Sequence, residues 1–105
     1  DGLMDRALSD AEVAAIERTL AEASPPGCFH GRLATRAAGA LHFAHVELCV
    51  PGEWTVAEAH AVADALEGIV LERTGTRLST HLEPLPPNLP QGAGVDLGRV
   101  PDEGP

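Results

Sequence analysis

The run ALHFAHVELCV, residues 40–50, alternates apolar and polar side chains for most of its length. In a strand, successive side chains point to opposite faces. Ala44, Val46, Leu48 and Val50 therefore share one side, and Phe43, His45, Glu47 and Cys49 share the other. A chain containing such a strand must build a sheet that is covered on one side and open on the other. The cover must be modest. With 105 residues there is room for one domain and one core. Apolar residues make up 44% of the chain, but only 2 Phe and 1 Trp are aromatic, so the core is aliphatic. Self-association would help to bury it.

Two segments have the pattern of the covering helices. In SDAE, Ser9 caps and Glu12 stands three residues on, the spacing of a capping box. Val13, Ile16 and Leu20 follow at helical spacing, and SPPG (24–27) ends the run because proline cannot supply the next N–H. Thr55 and Glu58 repeat the capping box ahead of a helix predicted over 56–73. Ala59, Val62, Ala63, Leu66, Ile69 and Val70 form its apolar stripe, and Gly75 stops it. Residues 29–36 read as a strand joined to 40–50 by the AAG turn at 37–39, giving an antiparallel hairpin. TRLSTHLEPL (76–85) reads as a third strand, with Leu78, Thr80 and Leu82 inward and Arg77, Ser79, His81 and Glu83 outward. The order α-β-β-α-β fits an α+β two-layer architecture, a three-stranded sheet with two helices on one face. Residues 1–8 read as a linker or short helical entry. Residues 86–105, PPNLPQGAGVDLGRVPDEGP, are rich in Pro and Gly without periodicity and read as a disordered tail.

Charge narrows the partners. The formal net charge is −9, from 16 acidic and 7 basic residues. That argues against nucleic acid, whose phosphates need a basic surface, and against charge-driven docking on anionic lipid. It suits the attraction of cations. Cys28 and Cys49 make neither a disulfide framework nor a CxxC pair and read as reduced cytosolic thiols. No run approaches the roughly 20 apolar residues of a membrane span, and no signal peptide is evident. The opening DGLMDRAL lacks an initiator Met, as expected of a piece of a longer chain.

The histidines then matter by placement. His45 lies on the open face of the second strand, His81 and Glu83 on the open face of the third, and His30 opens the first. His60 stands one step off the apolar stripe of the second helix, with Asp64 one turn later. An imidazole beside a carboxylate is a metal half-site, an acid/base pair or an exposed strand end, and the neighbours decide which. If the strand registers bring these groups together, imidazole nitrogen and carboxylate oxygen suit zinc and its first-row neighbours, whereas calcium and magnesium want more oxygens. His42 alternates toward the core and reads as structural. Glu47 reads as a solvated acid, Cys49 as a buried thiol and Cys28 as a possible extra ligand.

The capped first helix, FHGRLATRAAG, AHVELCVPGEWTVAEAHAVADALE and STHLEP together resemble the cytoplasmic C-terminal domain of cation diffusion facilitator transporters, over roughly residues 1–85. DGLMDRAL is similar to the linker that follows the last transmembrane helix in that family. The resemblance implies a ferredoxin-like, metallochaperone-like domain (9–85) that pairs into a V-shaped homodimer beneath the membrane. It implies divalent cations, often zinc, at the dimer interface, held at the positions of His30, His45, His60, His81 and Glu83. HGRLATR is one residue longer than the family's usual His-x-Leu-x-x-Arg, so a bulge at Gly31 is expected if His30 is to keep register. Glu83 stands where some members carry aspartate.

The function expected from this is regulatory, not enzymatic: a cytoplasmic domain of a divalent-cation efflux transporter, zinc first, whose partners are a second copy and the transmembrane domain of its own chain. Metal ions are the only small ligands expected. The alternatives are a metal-independent dimerisation module, a free-standing metal carrier and, last, a small zinc hydrolase, for which the chain offers no loop insertions or oxyanion donors.

Overall fold

The computed structural model describes residues 6–85. Its elements are α1 (Asp10–Ala23), β1 (Phe29–Ala38), β2 (Leu41–Val50), α2 (Val56–Thr74) and β3 (Thr76–Pro84), the expected α-β-β-α-β order. Both capping boxes form. Ser9 and Thr55 each accept a hydrogen bond from the backbone N–H of the residue three on, and Glu12 and Glu58 reach back to the cap N–H groups. α2 ends at Gly75, whose φ of 74° is left-handed backbone open to glycine at no steric cost.

The sheet order is β1-β2-β3. β1 and β2 are antiparallel, and Ala38 pairs with Leu41, so only Gly39 and Ala40 form the turn. Gly39 has φ 61° and no non-glycine residue has positive φ, which is the type II′ geometry that matches strand twist. The tight turn extends β1 two residues beyond the expected end at 36. β2 and β3 are parallel, with Ala44 opposite Leu78 and Leu48 opposite Leu82. Parallel neighbours need a crossover, and α2 supplies it.

Both helices pack on the side of the sheet carrying Ala44, Val46, Leu48 and Val50. Ile16 and Leu20 of α1 and Ala59, Leu66 and Val70 of α2 complete that core. Leu48, at its centre, is 0% exposed. Removing a leucine side chain of this kind from water is worth about 1.5–3 kcal/mol. Val62 is only partly buried, at the edge of the stripe.

The domain begins earlier than the reading of 1–8 as linker suggested. Arg6 makes a two-way backbone bridge with Ala37, at 2.6 and 3.1 Å. Leu8 is 5% exposed within the core, and its N–H donates to Thr35 Oγ1 at 3.2 Å. A single leucine between Ala7 and Ser9 carries no periodic signal, so only the packing reveals its place. The proposed tail at 86–105 and residues 1–5 lie outside the described residues.

Candidate metal centre

The open side of the sheet is built from rungs, because directly paired residues in neighbouring strands project to the same face. Arg36, Phe43 and Arg77 form one rung, and Ala34, His45 and Ser79 the next. Glu47 pairs with His81, and Cys49 with both Phe29 and Glu83. His45, Glu47, His81 and Glu83 are all exposed. No residue in either helix covers them, since both helices occupy the other side.

Two contacts order this face. The His81 imidazole and Glu83 carboxylate approach to 2.6 Å between Nε2 and Oε2, two residues apart on one strand as alternation requires. His45 Nδ1 lies 2.8 Å from Ser79 Oγ. That contact uses one ring nitrogen and leaves Nε2 to meet solvent or a ligand. His81 is the diagonal neighbour of His45, at a typical separation of about 7–8 Å, within reach of a shared ion. Glu83 is four residues further along than Ser79, about 13 Å at strand spacing, and serves the His81 end.

His30 and His60 stand elsewhere. The register shifts between His30 and Leu33, so Gly31 and Arg32 together oppose Glu47. The expected bulge at Gly31 is present, and across it His30 keeps the ladder register of Leu33, two positions apart on the covered side. Side chains alternate with period two, so one inserted residue exchanges the faces on either side of it. Arg32 would otherwise share its side with His30. With the insertion, His30 pairs with Leu48 and stands half-buried on the helix-covered side. His60 is exposed on α2, between buried Ala59 and Ala63, in the helical layer. Among the described residues of one chain, no three His, Cys, Asp or Glu side chains converge as a metal site. One copy brings together His45, His81 and Glu83 on a common face and separates His30 and His60 from them.

The remaining candidates sort by packing. His42 lies on the covered side as expected, with Nδ1 3.5 Å from Glu12 Oε2. Both Oε atoms of Glu12 are thus engaged, one by the Ser9 N–H at 2.8 Å. The hydrogen bonds from Ser9 hold the Glu12 carboxyl below its ordinary value, with His42 and Arg6 adding to the effect. Cys28 and Cys49 are free thiols. Burial pushes Cys28 up. Burial, then the Glu47 and Glu83 carboxylates, push Cys49 up. Without a cation nearby, Cys49 is therefore a protonated thiol and not a standing ligand. Ser79 is the site residue that reading by residue type missed. Its outward alternation was legible, but its pairing with His45 depends on the parallel register.

Comparison with known proteins agrees with this architecture. Residues 8–85 match the family described as cation efflux protein, cytoplasmic domain. An uncharacterized transporter, sll1263, of Synechocystis sp. is 40% identical over 84 residues, which is 79% of this chain and 27% of the transporter. The chain thus spans about a quarter of the length of that curated relative. The structure of CzrB, described as a candidate zinc transporter, superposes with a TM-score of 0.70 at 32% identity, covering 75% of this chain and 99% of that one. Its zinc form gives 0.63 at 30% identity over 77% and 93% of the two chains. A cadmium form of a single-substitution variant of the MamM C-terminal domain gives 0.59 at 26% identity over 72% and 94%. No described helix is long and apolar enough to cross a membrane. The capped α-β-β-α-β domain with its open histidine-bearing face belongs to the family of cation efflux protein cytoplasmic domains.

Proposed function

We propose that this domain regulates a divalent-cation efflux transporter by binding metal between two copies of its open sheet face, zinc being the first choice. The observation that carries the reading is the His81–Glu83 pair, 2.6 Å apart and exposed, with His45 on the same face one diagonal away. Nitrogen and oxygen donors of this kind fit a zinc-like ion. One copy offers too few convergent donors for a closed tetrahedral site, and a second copy across a twofold axis would supply the rest. His60 and His30 can contribute only through such a partner or through local rearrangement. The zinc form of CzrB and the cadmium form of MamM's domain support a divalent metal for this fold.

Charge supplies the mechanism. Each copy presents Glu47 and Glu83 beside the histidines, and the whole chain carries −9, so two empty faces repel. A divalent ion held by His and Glu offsets that repulsion and draws the faces together. Closure biases an attached membrane domain only if metal binds the closed form more tightly than the open one. Binding must weaken in acid, because a protonated imidazole cannot ligate.

Calorimetric titration of the metal-stripped chain with zinc tests this. Saturable binding is expected, and His45→Ala plus His81→Ala should weaken it by about tenfold or more, at least the loss seen when residues that merely support metal ligands are removed. Unchanged affinity rejects the site. Small-angle scattering that is the same with and without zinc would leave the domain as a metal-independent dimerisation module.

A further inference from the structure

The two edges of the sheet are finished differently. β1 is blunted: Arg6 bridges Ala37, and the bulge between His30 and Leu33 interrupts its ladder. Added bridges and bulges are how an edge strand avoids pairing with other chains. β3 has neither. Its 9 residues, Thr76–Pro84, pair with β2 in unbroken register, and among the described residues no strand lies on its other side. A groove of about 390 Å³ runs along that free edge, lined by Gly68, Leu71 and Leu78 together with Asp64, Glu67 and Arg77. Leu71 is 45% exposed there, and a Cβ added at Gly68 would meet nothing. Glu67 is engaged within the chain, accepting from Thr80 Oγ1 at 2.9 Å. Arg77 lines both this groove and the open side, so its side chain lies at the edge itself. Among the described residues it has no ion pair or side-chain hydrogen bond. The sequence of the strand is also symmetric in kind about Thr80. Leu78 and Leu82 flank it on the covered side, and Arg77 and Glu83, one step further out, carry opposite charges on the open side.

We infer that the free edge of β3 pairs antiparallel with β3 of a second copy of this chain, about a twofold axis that passes through Thr80 perpendicular to the sheet. Such an interface is self-complementary. Directly opposite residues share a face. Leu78 therefore meets the second copy's Leu82 on the covered side, where that leucine enters the groove over Gly68 and against Leu71. Arg77 meets the second copy's Glu83 on the open side, and the symmetry makes each of these contacts twice. A slide of two residues would set Arg77 opposite His81 or Leu85 and remove both ion pairs, so charge selects the register. Backbone pairing supplies the attraction, and the alternate side chains supply the specificity. The net charge of −9 opposes any unspecific association of two copies. Both copies keep their helices on the same side, so two three-stranded sheets join into one continuous sheet. The contact uses the strand edge and not the open face, and it needs no metal. It meets the metal proposal only at Glu83, whose Oε2 lies 2.6 Å from His81 Nε2 while Oε1 is left to accept from an arginine.

Sedimentation equilibrium of the full metal-stripped chain across a concentration series measures the association, and amide hydrogen exchange locates it. A dimer is expected, with protection of β3 amides rising with concentration while β1 amides stay unchanged. Arg77→Glu and Glu83→Arg should each raise the dimer Kd about tenfold, because the twofold breaks the pair twice. The double variant exchanges the charges and should return Kd to within about threefold of the parent. Arg18→Glu, exposed on α1, changes the net charge by the same amount as Arg77→Glu and should leave Kd unchanged. Circular dichroism confirms that each variant is folded. The inference is overturned if the metal-stripped chain stays monomeric, if the single charge changes have no effect, or if the double variant is no tighter than the singles. A dimer that forms only with zinc and is indifferent to Arg77→Glu also overturns it, and leaves the metal reading standing. Edge pairing in a chain that binds no zinc upholds the edge and rejects the metal site.

Discussion

The two sides of the sheet share every strand yet obey different physics. On the covered side, Ala44, Val46, Leu48, Val50 and Leu78 are all buried against α1 and α2. On the open side, the residues between them, His45, Glu47, Ser79, His81 and Glu83, stay exposed. One backbone thus carries stability on one face and ligand chemistry on the other. Substitution on the open side is nearly free of folding cost, which is where a binding face can vary without loss of the domain.

The strongest way to break this contrast is to reverse the expected costs. Leu48→Ala should destabilise by about 2–5 kcal/mol, since the side chain is fully buried between the central strand and the helices and its site cannot fully collapse. His81→Ala should change stability in the metal-free state by no more than about 0.5 kcal/mol. Chemical denaturation of both variants measures the difference, and equal losses would mean that the open face is part of the core.

Deleting Gly31 sharpens the comparison next. It removes the extra residue opposite Glu47 and restores unbroken alternation, with Arg32 alone opposite Glu47 and His30 still paired with Leu48 on the covered side. The expected readouts are NOEs from the His30 ring to covered-side protons, as in the parent, and an unchanged zinc affinity. A deletion variant whose His30 ring instead shows NOEs to open-face protons would refute this register.

Smaller effects belong to the helix ends. Ser9→Ala should cost about 1 kcal/mol by removing a side-chain cap. Acid should act through the same box. Glu12 is held below its ordinary value in the fold, so its contribution is present in full above that value. It disappears as pH falls through the lower, folded-state value. Comparing the acid limb of thermal stability for the parent and Glu12→Gln checks the sign: the parent's advantage must shrink toward low pH.

The elements and their faces were legible in the sequence because they depend on local rules. Two capping boxes marked the helix starts, and alternation put His45, His81 and Glu83 outward before any pairing was known. The site was legible only in part. His45 and Ser79 meet at 2.8 Å because β2 and β3 run parallel in one particular register, and strand alternation alone does not specify a partner. The concentration of Arg36 and Arg77 around Phe43 was equally hidden beneath a net charge that pointed the other way.

By itself, the sequence determined the order of elements, the two-faced sheet and the residue types available to a cation. Only the tertiary structure decided that Leu8 belongs to the core, that His30 turns away, and that the open face divides into an arginine end and a histidine–carboxylate end. Periodicity says on which side of its own strand a residue lies. Register and a single inserted residue, which are properties of pairing between distant segments, decide what stands beside it.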